Sequence, residues 1–162
     1  MKELFITGIF RFCIYVLVGI FMEFMVTGIS KLITVLHDKI DDRPINKEDE
    51  KLTGYTYLWM IPVYGFFLLL AFEPVFYIVK DFPIGFRYLI WCIAFTGFEF
   101  LSGFIYYKII GFCPWQYQKW EFPKGKGFIT MMFVPAWGFA GITIEQITLF
   151  LYHLDLCVLS YF

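Results

Sequence analysis

Apolar residues run along the chain in four long stretches, at 12–36, 55–79, 88–112 and 128–152. Each is at least as long as the ~20 mainly apolar residues that an α-helix needs to cross a bilayer. We therefore predict four transmembrane helices in a single integral membrane domain over residues 1–162. Four spans place both termini on the same side of the membrane.

Polar residues separate these stretches. Residues 37–51 form a long hydrophilic run that predicts a solvated loop, whereas residues 80–87 predict a tight connection. Residues 113–127 are rich in tryptophan and tyrosine, which suits the membrane–water interface. Residues 153–162 are apolar but too few to span, so we expect them to lie along the interface. Arg11 interrupts the early apolar stretch, and we expect the first helix to be retained rather than cleaved as a signal peptide.

The second and fourth spans open with the same residue pattern at identical spacing. The matching positions are Gly54, Pro62, Tyr64, Gly65 and Phe66 in the second span, and Gly127, Pro135, Trp137, Gly138 and Phe139 in the fourth. The first and third spans share a Glu-Phe pair, at Glu23 and Glu99. We predict an all-α membrane fold, a four-helix transmembrane bundle from two repeated helical hairpins. A pseudo-two-fold axis along the membrane normal would relate the hairpins.

Composition agrees with lipid as the solvent. Hydrophobic residues make up 60% of the chain and aromatic residues 23%, whereas soluble domains contain about 45–50% apolar residues. The formal net charge is −1 and basic residues form no block, so a nucleic-acid partner is not expected. The four cysteines are far apart and lack metal-ligand spacing. We interpret them as small apolar side chains and expect no cofactor.

Each predicted helix contains one glutamate: Glu23, Glu73, Glu99 or Glu145. A charge deep in a bilayer costs about 3 kcal/mol on insertion scales, so such residues usually face a bundle interior and form a ligand site or relay. Small residues at helical spacing share their faces, which favours close helix packing there. We predict a glutamate-lined intramembrane cavity that binds a cation. The alternative is that the glutamates only hydrogen-bond to neighbouring helices.

Aromatic residues near the glutamates add candidates, because ring faces attract cations. Pro62 and Pro135 are candidate kink points within their helices, with a purely architectural role as the equal alternative. Arg11 is expected near a helix end, either reaching for the interface or acting as a counter-charge at the mouth of the cavity. The full set of candidate binding residues is Glu23, Glu73, Glu99, Glu145, Gln146, Trp59, Tyr64 and Trp137. We assign no catalytic residue, and a metal remains an open question.

A specific order of short motifs runs through the chain from about residue 11 onward. It comprises Glu23, Trp59, Tyr64-Gly65, Glu99-Phe100, Ser102-Gly103-Phe104, Cys113-Pro114-Trp115, Tyr117, Gly127, Pro135, Trp137 and Glu145-Gln146. In this order the chain resembles the transmembrane protein 229 family and its bacterial relatives, which are labelled type IV ABC-transporter permeases. The resemblance implies a four-helix membrane protein, a permease-like role and an ATPase partner.

Three functions follow from these patterns. The leading hypothesis is a transporter or permease-like protein that binds a cation or cationic substrate, working as a homodimer or with a partner subunit. The second is an intramembrane enzyme that acts on lipid and uses a buried glutamate as acid or base, with Glu99 and the pair Glu145-Gln146 as the candidates. The third is a non-catalytic membrane adaptor. An abundance of Phe, Ile, Lys and Tyr suits an AT-rich genome, and hence the plasma membrane of a bacterium.

Overall fold

The computed structural model describes residues 2–41, 44, 51, 53–54, 56–115, 117 and 121–159, with the backbone alone at 2–5, 30 and 156–159. Backbone contacts divide the chain into two compact units. One runs from Met1 to Pro74 and the other from Val75 to Phe162. Each unit is described by itself below.

The first unit is a helical hairpin. Helix α1 runs from Lys2 to Ile40 without interruption, as expected of a segment that contains no proline. Helix α2 covers Met60–Phe67 and packs against α1. Pro62 lies in the first turn of α2, where its missing N–H removes no helical hydrogen bond. The predicted kink at this proline is therefore wrong.

A π-helical turn, Leu68–Phe72, follows α2 and leads into α3, Glu73–Val79. The backbone N–H of Glu73 donates to the carbonyl oxygen of Leu68, five residues earlier. Pro74 follows immediately, and a proline ring crowds the carbonyl four residues before it and offers no N–H. A wider turn at this point accommodates the proline while the span continues as one helix.

The second unit is also built on two long helices. Helix α4 covers Ile84–Ile110 and ends at Gly111, whose positive φ of 86° is the left-handed conformation common after a helix. A short antiparallel hairpin follows, in which β1, Glu121–Phe122, pairs with β2, Ile129–Thr130. A 3₁₀ turn, Met131–Phe133, leads into α5, Val134–Leu159, which packs against α4.

The four predicted spans are confirmed at the level of helices, although their ends differ. In the part of the chain that the structure describes, four helices are long and apolar enough to cross a membrane: Ile6–Ile40, Met60–Val79, Ile84–Ile110 and Met131–Asp155. The β-hairpin in the third connection was not predicted. Pro135 lies in the first turn of α5, so the kink expected there is also wrong.

The end of the fourth span is a further correction. The sequence suggested that the helix stops near 152 and that the following residues run along the interface. Helix α5 instead continues to Leu159, because no proline or glycine follows Tyr152 to end it. Residues 160–162 lie outside the described part of the chain.

Candidate functional site

Glu73 is held by two side chains from α1. Arg11 Nη1 lies 2.7 Å from Glu73 Oε2, and the hydroxyl of Tyr15 donates to Glu73 Oε1 at 2.5 Å. Tyr15 and Glu73 are buried. The guanidinium balances the carboxylate charge, so neither group is an isolated charge in the span. Of the two interpretations of Arg11, the structure supports the balancing charge.

Glu145 is held in the same manner within the second unit. The indole N–H of Trp91 donates to Glu145 Oε1 at 2.7 Å, and Arg87 Nη1 lies 3.1 Å from Oε2. The carboxylate has no exposed surface. Both partners come from the first turns of α4, Trp91 as a hydrogen-bond donor and Arg87 as the counter-charge. Glu145 is therefore a buried, charge-balanced side chain.

Glu23 has neutral partners only. The hydroxyls of Thr56 and Tyr64 both donate to Glu23 Oε2, at 2.5 and 2.9 Å. Oε1 accepts no hydrogen bond among the described residues. Glu23 is half-buried, and its position near the middle of α1 places it far from either end of the helix.

Glu99 also has neutral partners only. The hydroxyl of Tyr117 donates to Oε1 at 2.5 Å, and the indole N–H of Trp137 donates to Oε2 at 3.0 Å. An indole N–H can only donate, so Oε2 acts as an acceptor. Tyr117 lies in the connection before the β-hairpin, and Trp137 lies in the first turns of α5.

The four glutamates thus fall into two classes. Glu73 and Glu145 each form an ion pair with an arginine, whereas Glu23 and Glu99 have no lysine, arginine or histidine partner in the described ranges. Hydrogen bonds to a charged group contribute about 1.5–3 kcal/mol each. Two neutral donors can therefore hold a carboxylate in place, but they leave its net charge unbalanced.

The remaining candidates are distributed unevenly. Tyr64 and Trp137 contact Glu23 and Glu99, as described above. Trp59 precedes α2 and is 55% exposed. Gln146 is exposed although its neighbour Glu145 is fully buried, because successive residues of a helix point about 100° apart. Adjacency in sequence therefore does not bring this pair to one site, and their binding or catalytic roles stay predictions.

Several functional neighbours were missed by sequence reasoning. Tyr15, Arg87, Trp91, Thr56 and Tyr117 all contact a glutamate, yet none was among the candidates. A signal was present for three of them. Arg11 and Tyr15 are four residues apart ahead of Glu23, and Arg87 and Trp91 stand at the same spacing ahead of Glu99.

Glycines allow the helices of each unit to approach closely. A Cβ atom at Gly65 would meet the ring of Phe12, and one at Gly138 would meet the ring of Tyr88. Gly19 faces the ring of Tyr64 in the same way. Small residues at helix crossings permit this contact, and here they let aromatic rings reach across to the facing helix.

Among the residues that the structure describes, no group of three or more His, Cys, Asp or Glu side chains lies close enough to hold a metal ion.

No family model matches the sequence. No solved structure matches the fold. The resemblance to the transmembrane protein 229 family accordingly stays a prediction. The four apolar helices fit a small multi-pass integral membrane protein.

Proposed function

We propose that this chain is a transporter or permease-like membrane protein in which Glu23 and Glu99 bind a cation or cationic substrate. The observation that carries the proposal is the division of the glutamates. Glu23 and Glu99 are the two without an arginine partner in the described residues. Intramembrane carboxylates are expensive, and those that remain unbalanced by the protein are suited to balance by a ligand.

Glu73 and Glu145 take a different role in this proposal. Each is buried and already forms an ion pair, so a cationic ligand would have to displace a guanidinium. Breaking a buried pair leaves an uncompensated charge and costs about 3–5 kcal/mol. We therefore propose that Glu73 and Glu145 stabilise their hairpins. The carboxylates proposed to bind the cation are then two, Glu23 and Glu99, instead of the four predicted from the sequence.

Equivalent contacts in the two units support the proposal that the chain contains one hairpin twice. An arginine and an aromatic residue four positions later hold the glutamate of the facing helix in both units. An aromatic residue of the second helix reaches the mid-span glutamate, and a glycine one residue later faces a ring of the first helix. The pairs are Arg11–Glu73 and Arg87–Glu145, Tyr15–Glu73 and Trp91–Glu145, Tyr64–Glu23 and Trp137–Glu99, Gly65–Phe12 and Gly138–Tyr88.

The π-helical turn explains the one mismatch in the repeat. Eight positions separate Gly65 from Glu73, but seven separate Gly138 from Glu145. In a regular α-helix one extra residue would turn the glutamate by about 100°. A π turn absorbs one residue, so Glu73 meets Arg11 as Glu145 meets Arg87. The two-fold relation between the hairpins stays a prediction.

A partner belongs to this proposal. Four helices are few for alternating access, so we include a second copy of the chain or another subunit. The resemblance implies an ATPase as that subunit, and the sequence itself contains no phosphate-binding glycine loop. The plasma membrane of a bacterium remains the proposed location.

The test is cation-dependent stability of the protein in lipid nanodiscs. We expect sodium, magnesium or tetramethylammonium to raise the midpoint of thermal unfolding, because a ligand that binds only the folded state stabilises it. Glu23→Gln and Glu99→Gln should each reduce that rise. Glu121→Gln is the matched control, since Glu121 lies outside the spans and a glutamine can still accept from the N–H of Gly125.

Flux measurements complete the test. Proteoliposomes that show cation movement in the wild type and in Glu121→Gln, but not in the two mid-span variants, would support transport. The proposal is overturned if no cation changes the midpoint of the wild type, or if the rise is the same in the mid-span variants. A rise without flux would indicate binding only and would favour an adaptor.

A further inference from the structure

Glu99 contacts two aromatic side chains, which are in turn linked to further rings. Tyr117 and Trp137 hydrogen-bond to its two oxygens. Phe133 contacts both of these rings, with centroid distances of 5.5 Å to Tyr117 and 6.5 Å to Trp137. Phe95 stacks on Trp137 at 6.0 Å with the ring planes 13° apart. We call Phe95, Glu99, Tyr117, Phe133 and Trp137 the Glu99 box.

The Glu99 box is poorly suited to a bare metal ion. Hard cations such as Ca²⁺ take about six to eight oxygen ligands. As metal ligands the box provides only the carboxylate oxygens of Glu99 and the phenol oxygen of Tyr117. The N–H of Trp137 has no lone pair and cannot bind a metal ion. Aromatic faces attract instead a cation with an apolar shell, most strongly where water is excluded.

All five residues of the Glu99 box are half-buried rather than fully enclosed. Part of the box is therefore accessible from outside the unit.

Thr96 adds a hydrogen-bond acceptor to the same helix face. It precedes Glu99 by three residues, so the two share one side of α4. Its hydroxyl oxygen is buried and has no hydrogen-bond partner in the described part of the chain. Buried hydroxyls without a partner cost about 1–3 kcal/mol. The N–H of a primary, secondary or tertiary ammonium would satisfy this one, whereas tetramethylammonium has no N–H and tests the carboxylate and the rings alone.

The neighbourhood of Glu23 is different. Its two partners are hydroxyls, which can also offer oxygen lone pairs to a cation. Of these partners, only Tyr64 brings a ring. The two mid-span glutamates therefore differ in chemistry although they occupy matching positions in their hairpins.

We propose that the Glu99 box is a binding site for an organic ammonium ion, with the carboxylate of Glu99 as the counter-charge and the rings of Phe133 and Trp137 as the apolar walls. This inference rests on the proposed function and names the substrate class for one of its two carboxylates. Organic ammonium ions are distinguished from sodium and magnesium by their weak hydration and their fit to ring faces.

The experiment uses Trp137 as its own reporter. The protein is labelled with fluorotryptophan, placed in lipid nanodiscs and followed by fluorine NMR, and the Trp137→Phe variant identifies the Trp137 resonance. Tetramethylammonium is titrated at constant ionic strength, with sodium and magnesium as comparisons. We expect a saturable shift of the Trp137 resonance with tetramethylammonium, and no saturable shift with either metal ion.

Variants separate the contribution of the rings to ammonium binding from that of the Glu99 charge. Glu99→Gln and Phe133→Leu should each raise the dissociation constant by about tenfold, the scale of one ion or ring contact. Tyr117→Phe keeps its ring and frees one carboxylate oxygen, so binding should be retained. Phe150→Leu is the matched control, since Phe150 lies on α5 and is 61% exposed.

The inference is overturned if the Trp137 resonance does not respond, if sodium shifts it equally, or if Glu99→Gln binds as tightly as the wild type. Failure here is distinguishable from failure of the proposed function. A sodium- or magnesium-dependent rise in the unfolding midpoint that needs Glu23 or Glu99 would leave the transport proposal standing while the ammonium site is rejected.

Discussion

The guanidinium of Arg87 lies 3.1 Å from the carboxylate of Glu145, whose side chain has no exposed surface. The Nε atom of Arg87 is buried too, and it has no hydrogen-bond partner among the residues described. The pair is thus held by charge, and the hydrogen bond to the carboxylate comes from the indole N–H of Trp91. Each member keeps the other from being an isolated charge in an apolar span.

This ion pair predicts that removing the charge of Arg87 alone destabilises the protein more than removing the charges of both Arg87 and Glu145. Arg87→Met leaves the buried carboxylate without its counter-charge and should cost about 3–5 kcal/mol. The double variant Arg87→Met with Glu145→Gln removes both charges and keeps an acceptor for the Trp91 N–H. We expect it to recover much of the loss, measured as the midpoint of thermal unfolding in nanodiscs. Equal loss in the single and double variants would contradict the ion-pair account.

The two classes of glutamate predict opposite responses to the same substitution. Glu73→Gln leaves Arg11 unbalanced, so the unfolding midpoint should fall. Glu99→Gln removes an unbalanced carboxylate and keeps one acceptor oxygen, so the midpoint without added cation should stay close to the wild-type value or rise. A fall of similar size in both variants would show that the distinction between balanced and unbalanced carboxylates has no energetic consequence.

Aromatic rings lie close to several glycines, so replacing such a glycine by alanine should destabilise the protein. Gly138→Ala would push a Cβ into the ring of Tyr88 and the Sγ of Cys92, and such overpacking costs about 1–3 kcal/mol. Gly97→Ala is the control, because nothing lies within 4 Å of its Cβ position and alanine is the better helix former by about 1 kcal/mol. The unfolding midpoint should fall in the first variant and rise in the second.

The π-helical turn predicts an unusual tolerance to deletion. Removing Leu70, which is 66% exposed, together with Pro74→Ala would give the second span the spacing found between Gly138 and Glu145. A regular α-helix would then place Glu73 opposite Arg11, and we expect the protein to fold.

Insertion of one alanine between Gly138 and Glu145 is the matched comparison. No proline follows Pro135 in helix α5 to favour a wider turn near Glu145, so the insertion should rotate Glu145 away from Arg87 and destabilise the unit. For both the deletion and the insertion, the measurements are the yield of folded protein and the midpoint of thermal unfolding. If the deletion is as damaging as the insertion, the repeat account of the π turn is wrong.

Sequence reasoning found the spans and their glutamates because both signals are local. A run of about 20 apolar residues is readable without any knowledge of contacts, and a carboxylate within such a run stands out against its neighbours. The spacing of Gly65 and Gly138 within their motifs was readable for the same reason.

The partners of those glutamates were not readable, because each contact joins residues far apart in the chain. Arg11 is one of several basic residues that the sequence places near predicted helix ends, and only its contact with Glu73 shows that it balances a buried charge. Tyr117 lies in a connection that was interpreted as interfacial, yet it donates to Glu99.

By itself, then, the sequence determined that the protein is helical and suited to a membrane, since hydrophobic length depends on composition alone. It also placed one glutamate in each span. Only the tertiary structure decided which of these glutamates are balanced by arginine and which are not. The physical reason is that the cost of a buried charge depends on the distance to its counter-charge, and that distance is created when the two helices of a hairpin pack together.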